Sequence, residues 1–427
     1  MVVGIIIGAS IFVQPSEINR HVPTIPAMLG VWLAAGILTL FGALVCAELS
    51  AVFPQTGGVY VFLKETLSPA CGFLWGWAMF WSVHSGIIAA SSVIFARYIG
   101  YFVSLDAFET RAVAIAGILA LSGVNYLGVR QGSLLQTIVT AAKLLAIVLL
   151  LAMVFFFGTP AASPAPTSAP AQVSFREFVL GISAGLFAFG GWHMLAYASG
   201  ETRDPKKTIP RALLTGVLTV TACYVALNAA YLYLLPLDRV SSSTRIAADA
   251  AMALAGARGA AAVSALVIVS AVGVLNGVIL AGPRMYLAMA SEGMAFRWLG
   301  AIHPRFHTPY IAIVVQALWS SILVATGTYR ELFTRVVYTE WLFFALMTWG
   351  LFRLHRGASY SPAWRAWGYP VVPFVFLVAA VVVSVISIAA APRPAATGLA
   401  LVALGLPVYY ISIRSSGTKA LIAHADH

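Results

Sequence analysis

The sequence predicts an all-α membrane protein of twelve transmembrane helices, and three observations predict it. The chain of 427 residues is 61% hydrophobic and only 9% charged, with a mean hydropathy of +0.92. A water-soluble globule needs far more charge to coat its surface, usually about a quarter of its residues. Twelve apolar windows can be counted against the roughly 20 helical residues needed to cross a hydrocarbon layer of about 30 Å. They run over residues 1–16, 21–47, 66–96, 112–129, 131–157, 178–200, 212–237, 259–283, 308–329, 336–352, 366–392 and 394–413. The whole chain, 1–427, therefore reads as one transmembrane domain. Residues 1–157 form a first five-helix unit, 178–353 a second, and 366–413 two additional helices.

The first window is short, about 24 Å as a helix, and begins at Met1 with no basic leader, so it reads as lacking an upstream turn or two rather than as a signal peptide. Its run Gly4-Ile5-Ile6-Ile7-Gly8-Ala9-Ser10-Ile11-Phe12 fits a continuous helix poorly. The sixth window has the same property at Phe187-Ala188-Phe189-Gly190-Gly191-Trp192-His193. Glycine costs about 1 kcal/mol relative to alanine inside a helix. A break at membrane depth is tolerated only beside protein or a watery cavity. Taken singly, such glycines serve equally well for close helix packing. Spans 1 and 6, however, are equivalent members of the two five-helix units, and matched breaks in corresponding helices point to an inverted-repeat solute site. The units share no residue-level repeat, so the symmetry rests on span count and break position. The turn at Gly8, Ala9 and Ser10 then offers unpaired N–H groups to a carboxylate. Freed carbonyls at Phe187, Ala188, Phe189 and Gly190 offer acceptors to an ammonium group.

Between these two windows, the fifth carries Lys143, twelve residues past Gln131 and so about 18 Å along a helix. A charge near mid-bilayer needs a partner, a water-filled cavity or neutralisation, and half a bilayer is a long reach for a snorkelling stem. The tenth window holds Glu340, the one acid well inside a span, five residues past Arg335. Ion pairing with Arg335 competes there with a role in selecting a positive or polar side chain or carrying a proton. His84 in the third window lines a pocket or is a hydrogen-bonded core histidine. Glu48 and Glu201 fall at helix ends suited to inter-helix ion pairs. Of the loops, the stretch from Gly158 to Gln172 and that from Leu237 to Arg258 read as external and mobile.

The excess of Lys and Arg sets the orientation. Of 25 basic residues, fourteen, Arg130, Arg414 and Lys419 among them, fall after even-numbered spans or in the C-terminal tail, and ten on the other face. That places both termini in the cytoplasm, with the chain multi-pass in a plasma (bacterial inner) membrane and in contact with lipid. The net charge of +11 is scattered through short loops, with no basic run or aromatic platform, so it does not signal nucleic acid. Cys46, Cys71 and Cys223 lie in or beside apolar spans and support neither a disulfide framework nor a metal site, and give no hint of a bond to a partner subunit. No HExxH, CxxC or nucleophile elbow is present, which argues against an enzyme, and nothing calls for a cofactor.

Four motifs in register carry a resemblance. Gly8-Ala9-Ser10-Ile11-Phe12 resembles a G-S-G-I-F turn. Gly42-Ala43-Leu44-Val45-Cys46-Ala47-Glu48-Leu49, continuing through Phe53-Pro54-Gln55-Thr56-Gly57-Gly58-Val59-Tyr60, is similar to a GALCYAEL…FP.SGG.Y pattern. Glu201-Thr202-Arg203-Asp204-Pro205-Lys206-Lys207-Thr208-Ile209-Pro210-Arg211 resembles an ET..P.K..P.A signature. Asn276-Gly277, Pro283-Arg284 and His303-Pro304-Arg305 resemble eighth-span and following-loop motifs. Together they resemble the amino acid/polyamine/organocation superfamily, closest to its L-type amino-acid transporter branch, over nearly the whole chain.

The resemblance implies a LeuT-like 5+5 inverted repeat with discontinuous helices 1 and 6 and two appended helices, transporting small-molecule amino acids by alternating access. It implies that Gly8, Ala9 and Ser10 take the substrate carboxylate and that Phe187 gates the ammonium site. It also implies that Lys143, with Ser270 as its eighth-span partner, stands where sodium-coupled relatives hold a sodium, hence sodium-independent exchange of neutral amino acids. Ser10 departs from the branch's second glycine, His193 from its asparagine, and Glu340, before Trp341, from a frequent asparagine in the pocket. Glu340 motivates a proton-coupled or cationic amino-acid or polyamine transporter as the alternative. The short first span motivates a non-transporting sensor or accessory subunit.

Overall fold

Runs of aliphatic residues with few breakers dictate helices, and their ends fall where side chains satisfy terminal N–H groups. In the computed structural model, which describes residues 2–128, 132–161, 172–291, 297–357 and 360–411, there is no strand among the described residues. The helices are α1 (Val2–Ile6), α2 (Gln14–His21), α3 (Ile25–Val52), α4 (Val59–Thr66), α5 (Pro69–Ala78), α6 (Ser85–Ile99), α7 (Ala107–Tyr126) and α8 (Gly132–Phe157). They continue as α9 (Phe175–Ala188), α10 (Pro205–Leu234), α11 (Leu237–Ser242), α12 (Ile246–Ser291), α13 (Tyr310–Thr326), α14 (Tyr329–His355), α15 (Val371–Ala390) and α16 (Pro392–Ala403). Capping boxes start α7, where Asp106 and Glu109 exchange bonds, and α14, where Thr328 and Glu331 do. Ser174 caps α9 and Ser68 caps α5. A π-helical turn, Met79–His84, joins α5 to α6 without breaking the apolar run.

Every apolar window of the sequence overlaps helix, and among the described residues eight helices are long and apolar enough to cross a membrane by length and composition. One buried core runs through the bundle, joining α1, α2 and α9 to α3, α10, α12 and α14. Close helix approach depends on small residues. At Gly36 on α3, a side chain would strike Thr221 of α10, and at Gly86 on α6 it would strike Val336 of α14.

Two expectations are corrected. The segment 237–258 is not a mobile loop: it forms α11 and the start of α12, which turns sharply at Gly256 with φ of 64°. Its alanine-rich run favours helix despite Arg239, Arg245 and Asp249. It is tied down by the Asn19 amide on the Leu237 carbonyl (2.6 Å) and the Tyr101 hydroxyl on the Ala257 carbonyl (3.0 Å). The first span also extends beyond residue 16 to His21, because Glu17 and Arg20, which bounded the apolar run, are paired with each other at 3.0 Å. Arg130, Arg414, Lys419, most of the stretch from Gly158 to Gln172, and the Glu201 and Arg284 side chains lie outside the described residues.

Candidate functional site

The first helix stops where its sequence turns from Ile to Gly-Ala-Ser. α1 ends at Ile6, Ser10–Phe12 make a single 3-10 turn, and α2 begins at Gln14. Within the gap, Gly8 N–H turns back on the Ile6 carbonyl at 2.7 Å, and the carbonyls of Ala9 and Ser10 accept from Phe12 and Val13. The N–H groups of Ala9, Ser10 and Ile11 have no backbone partner among the described residues. Three adjacent free donors at the head of a helical segment have the chemistry to hold an anion. Gly8 and Ala9 are buried, and Ser10 is half-buried.

The second break follows α9. Phe189, Gly190 and Gly191 separate it from a 3-10 segment, Trp192–Glu201, and Gly191 sits at φ of 90°, a conformation that side chains resist. Among the described residues the carbonyls of Leu186, Phe189 and Gly190 accept no backbone hydrogen bond, whereas, against expectation, that of Phe187 accepts from Gly190 N–H at 3.2 Å and that of Ala188 faces the Tyr224 hydroxyl. The two breaks lie against each other. A Cβ on Gly191 would stand 2.9 Å from the Ile5 side chain. The Tyr224 hydroxyl of α10 lies 3.0 Å from the Ile6 carbonyl and 3.1 Å from that of Ala188, pinning the stump of α1 to the stump of α9. The stump of α1, which precedes the free donors, is thus held against the stump of α9, which precedes the free acceptors.

The site residues expected from sequence divide into those that join this arrangement and those that face elsewhere. Lys143, buried on α8, donates to the Ile7 carbonyl at 3.4 Å inside the first break. Ser270 on α12 is buried with no hydrogen-bond partner among the described residues, and it is Val274, a turn further on, that approaches Gly8. Phe187 turns toward α14, its ring 5.7 Å from Phe333 and 6.5 Å from Tyr329. Ala188 is buried beside it, whereas Phe189 packs into the scaffold on Trp32 and Tyr224. Glu340 is buried and does not pair with Arg335; its carboxylate lies 4.0 Å from His193 Nε2, and neither ring nitrogen of His193 has another partner among the described residues. Trp341 turns away to pack on Phe376 of α15 and Phe344. His84 faces α12, its Nδ1 3.0 Å from the Tyr286 hydroxyl.

Polar networks lie at the two ends of the site, built from residues that the sequence did not flag and from Glu48, which it did. Toward the end where α2 and α9 meet α14, Gln14 donates to the Ala184 carbonyl at 2.6 Å and accepts from the Tyr329 hydroxyl at 2.9 Å. Above it the buried Glu17 takes both Arg330 Nε at 2.9 Å and Arg330 Nη2 at 2.8 Å, while His21 meets Glu177 at 2.6 Å. This end is shut by paired charges over an aromatic layer. At the opposite end, Glu48 of α3 accepts from the Tyr360 hydroxyl at 2.9 Å and the Ala366 N–H at 2.8 Å, with His355 Nε2 at 2.6 Å. Burial, and then the neighbouring Glu48 charge, hold the Tyr360 phenol well above its ordinary value, so it remains a donor. Removing one member of such a buried network leaves the others uncompensated. Glu48→Leu is expected to destabilise the protein by about 3 kcal/mol, and Glu48→Gln, which keeps an acceptor oxygen, by less than half of that, as thermal melting in detergent would show.

Residues 1–412 match the family model described as Amino acid permease. A serine/threonine exchanger of Bacillus subtilis (strain 168) is 31% identical over 416 residues, covering 96% of this chain and 94% of its own. The human b(0,+)-type amino acid transporter 1 is 30% identical over 360 residues, covering 82% and 73%. The mouse Asc-type amino acid transporter 1 is 29% identical over 424 residues, covering 97% and 79%.

Proposed function

The chain belongs to the amino acid permease family, whose members are multi-pass amino-acid transporters rather than enzymes, and from that premise we propose a sodium-independent exchanger of neutral α-amino acids working by alternating access in the plasma membrane. The proposed architecture is twelve transmembrane helices in two inverted five-helix units plus two, with both termini cytoplasmic.

The observation that carries the reading is the pair of facing breaks. Ala9, Ser10 and Ile11 N–H groups supply the carboxylate site, and the carbonyls of Leu186, Phe189 and Gly190 supply the ammonium site. Neither set touches the substrate side chain, so backbone recognises what all α-amino acids share. Lys143 supports sodium independence because its ammonium already holds the Ile7 carbonyl that a bound cation would otherwise hold. The test is radiolabelled uptake into proteoliposomes preloaded with one amino acid at a time, with and without sodium. Uptake that requires internal amino acid and ignores sodium is expected. Binding without any uptake supports a sensor instead.

A second reading, a cationic or proton-coupled transporter, is favoured by one observation: Glu340 is buried beside His193 rather than paired with Arg335. Glu340→Gln removes the charge while keeping the shape. If the neutral reading holds, the preference between neutral and cationic substrates changes by less than about twofold. If Glu340 faces a cationic group, cation preference falls about tenfold or more, the scale of one charge-assisted hydrogen bond.

A further inference from the structure

A cavity of about 240 Å³ opens at the end of the bundle that carries Glu17 and Glu177, between α9, α14 and the turn from α15 to α16. Its charges are almost all committed. Arg330 is held by Glu17 (2.8 Å), Arg176 at 3.4 Å and His21 at 2.6 Å share Glu177, and Glu331 is bound into the Thr328 cap. Arg335 is the exception. It is half-buried between this cavity and a second of about 180 Å³, and no carboxylate lies within ion-pair reach of it among the described residues. The buried Tyr338 hydroxyl on the same wall lies against the Arg335 guanidinium and has no other side-chain partner among the described residues. The guanidinium fork suits a carboxylate. Phe333 lines the cavity on one side and meets Phe187 at 5.7 Å on the other, so a single aromatic layer separates the cavity from the second helix break.

We propose that this cavity is a waiting site, in which an α-amino acid rests its carboxylate on Arg335 and Tyr338 before crossing the Phe187–Phe333 layer to the helix breaks. The inference rests on the transport reading above and adds a site to it. The cavity lies below the usual size of ligand pockets, which restricts it to a small solute. The cavity's border on Arg330 also places an arriving carboxylate beside the Glu17–Arg330 pair that shuts this end.

The test is initial uptake into oriented proteoliposomes, with KM measured separately from each face for wild type, Arg335→Gln, Arg335→Lys and Ala391→Phe. The last fills the cavity without altering charge. Arg335→Gln and Ala391→Phe are expected to raise KM about tenfold from the face carrying Glu17 and to leave KM from the opposite face and the maximal rate within about twofold. Arg335→Lys should retain most of the affinity. KM values unchanged from both faces, or raised equally from both, overturn the proposal. So does an Arg335→Gln effect seen only in vesicles containing anionic lipid and absent in pure phosphatidylcholine, because the anion seated there is then a lipid phosphate. Wild-type protein that takes up no amino acid from either face defeats the transport reading, and the waiting site with it.

Discussion

Lys143→Met is expected to lower exchange by roughly 10- to 150-fold while leaving the protein folded. The lysine stem lies within the core of the bundle, and methionine fills nearly the same volume, so packing is conserved. What is lost is the ammonium on the Ile7 carbonyl, 3.4 Å away inside the first helix break. A hydrogen bond to a charged group contributes about 1.5–3 kcal/mol, and the orphaned buried carbonyl adds its own penalty. Because that carbonyl immediately precedes Gly8, its loosening moves the donors proposed to hold the substrate carboxylate. Lys143→Arg should fail to restore activity, since a guanidinium needs a wider space than the ammonium it replaces. Uptake, with gel filtration and thermal melting as folding controls, checks both. Normal exchange by Lys143→Met would show that the ammonium plays no part in shaping the break.

Gly191→Val is expected to abolish transport and lower stability, and a comparison with Gly8→Ala separates the two causes. Gly191 has φ of 90°, and a side chain there would press against Ile5, 2.9 Å from the first added carbon. A β-branched residue in that backbone region is a genuine outlier, and the strain alone is about 1–3 kcal/mol. The substitution therefore pushes the stump of α1 away from the second break. At Gly8, by contrast, an added carbon meets Val274 at 3.5 Å and the Ile6 carbonyl and Ser10 hydroxyl at 3.8 Å, all ordinary contacts. Gly8→Ala should melt as wild type does and lose substrate affinity, because the methyl group stands beside the free donors rather than within the scaffold. Melting curves and substrate-induced stabilisation measured on both variants distinguish fold damage from site damage.

Much of this was legible in the sequence because membrane helices are written in composition. The apolar windows lie where helices form, and the Gly-Ala-Ser and Gly-Gly runs lie where they break. What escaped depends on charge that is neutralised through space. Glu17 and Arg20 ended the first window early, yet in the fold Glu17 serves Arg20 and, across the bundle, Arg330. Arg239, Arg245 and Asp249 made 237–258 look like loop, although alanine-rich helix prevails there. Tyr224 carried no local signal at all: one tyrosine among many, it is singled out only by two carbonyls from distant helices. Side-chain rotation was equally hidden. Trp341 follows Glu340 in the chain, but successive helical positions point about 100° apart, so Glu340 faces His193 while Trp341 faces Phe376.

Backbone groups in the two breaks are proposed to bind both ends of a zwitterion. Competition against radiolabelled amino-acid uptake tests it most directly, using three analogues that share one side chain: the parent amino acid, its carboxamide and its N-acetyl derivative. The parent should compete fully, and each analogue, lacking one charged end, should be weaker by about tenfold or more. Equal competition by the carboxamide or the N-acetyl compound would contradict the account, because recognition would then reside in the side chain alone.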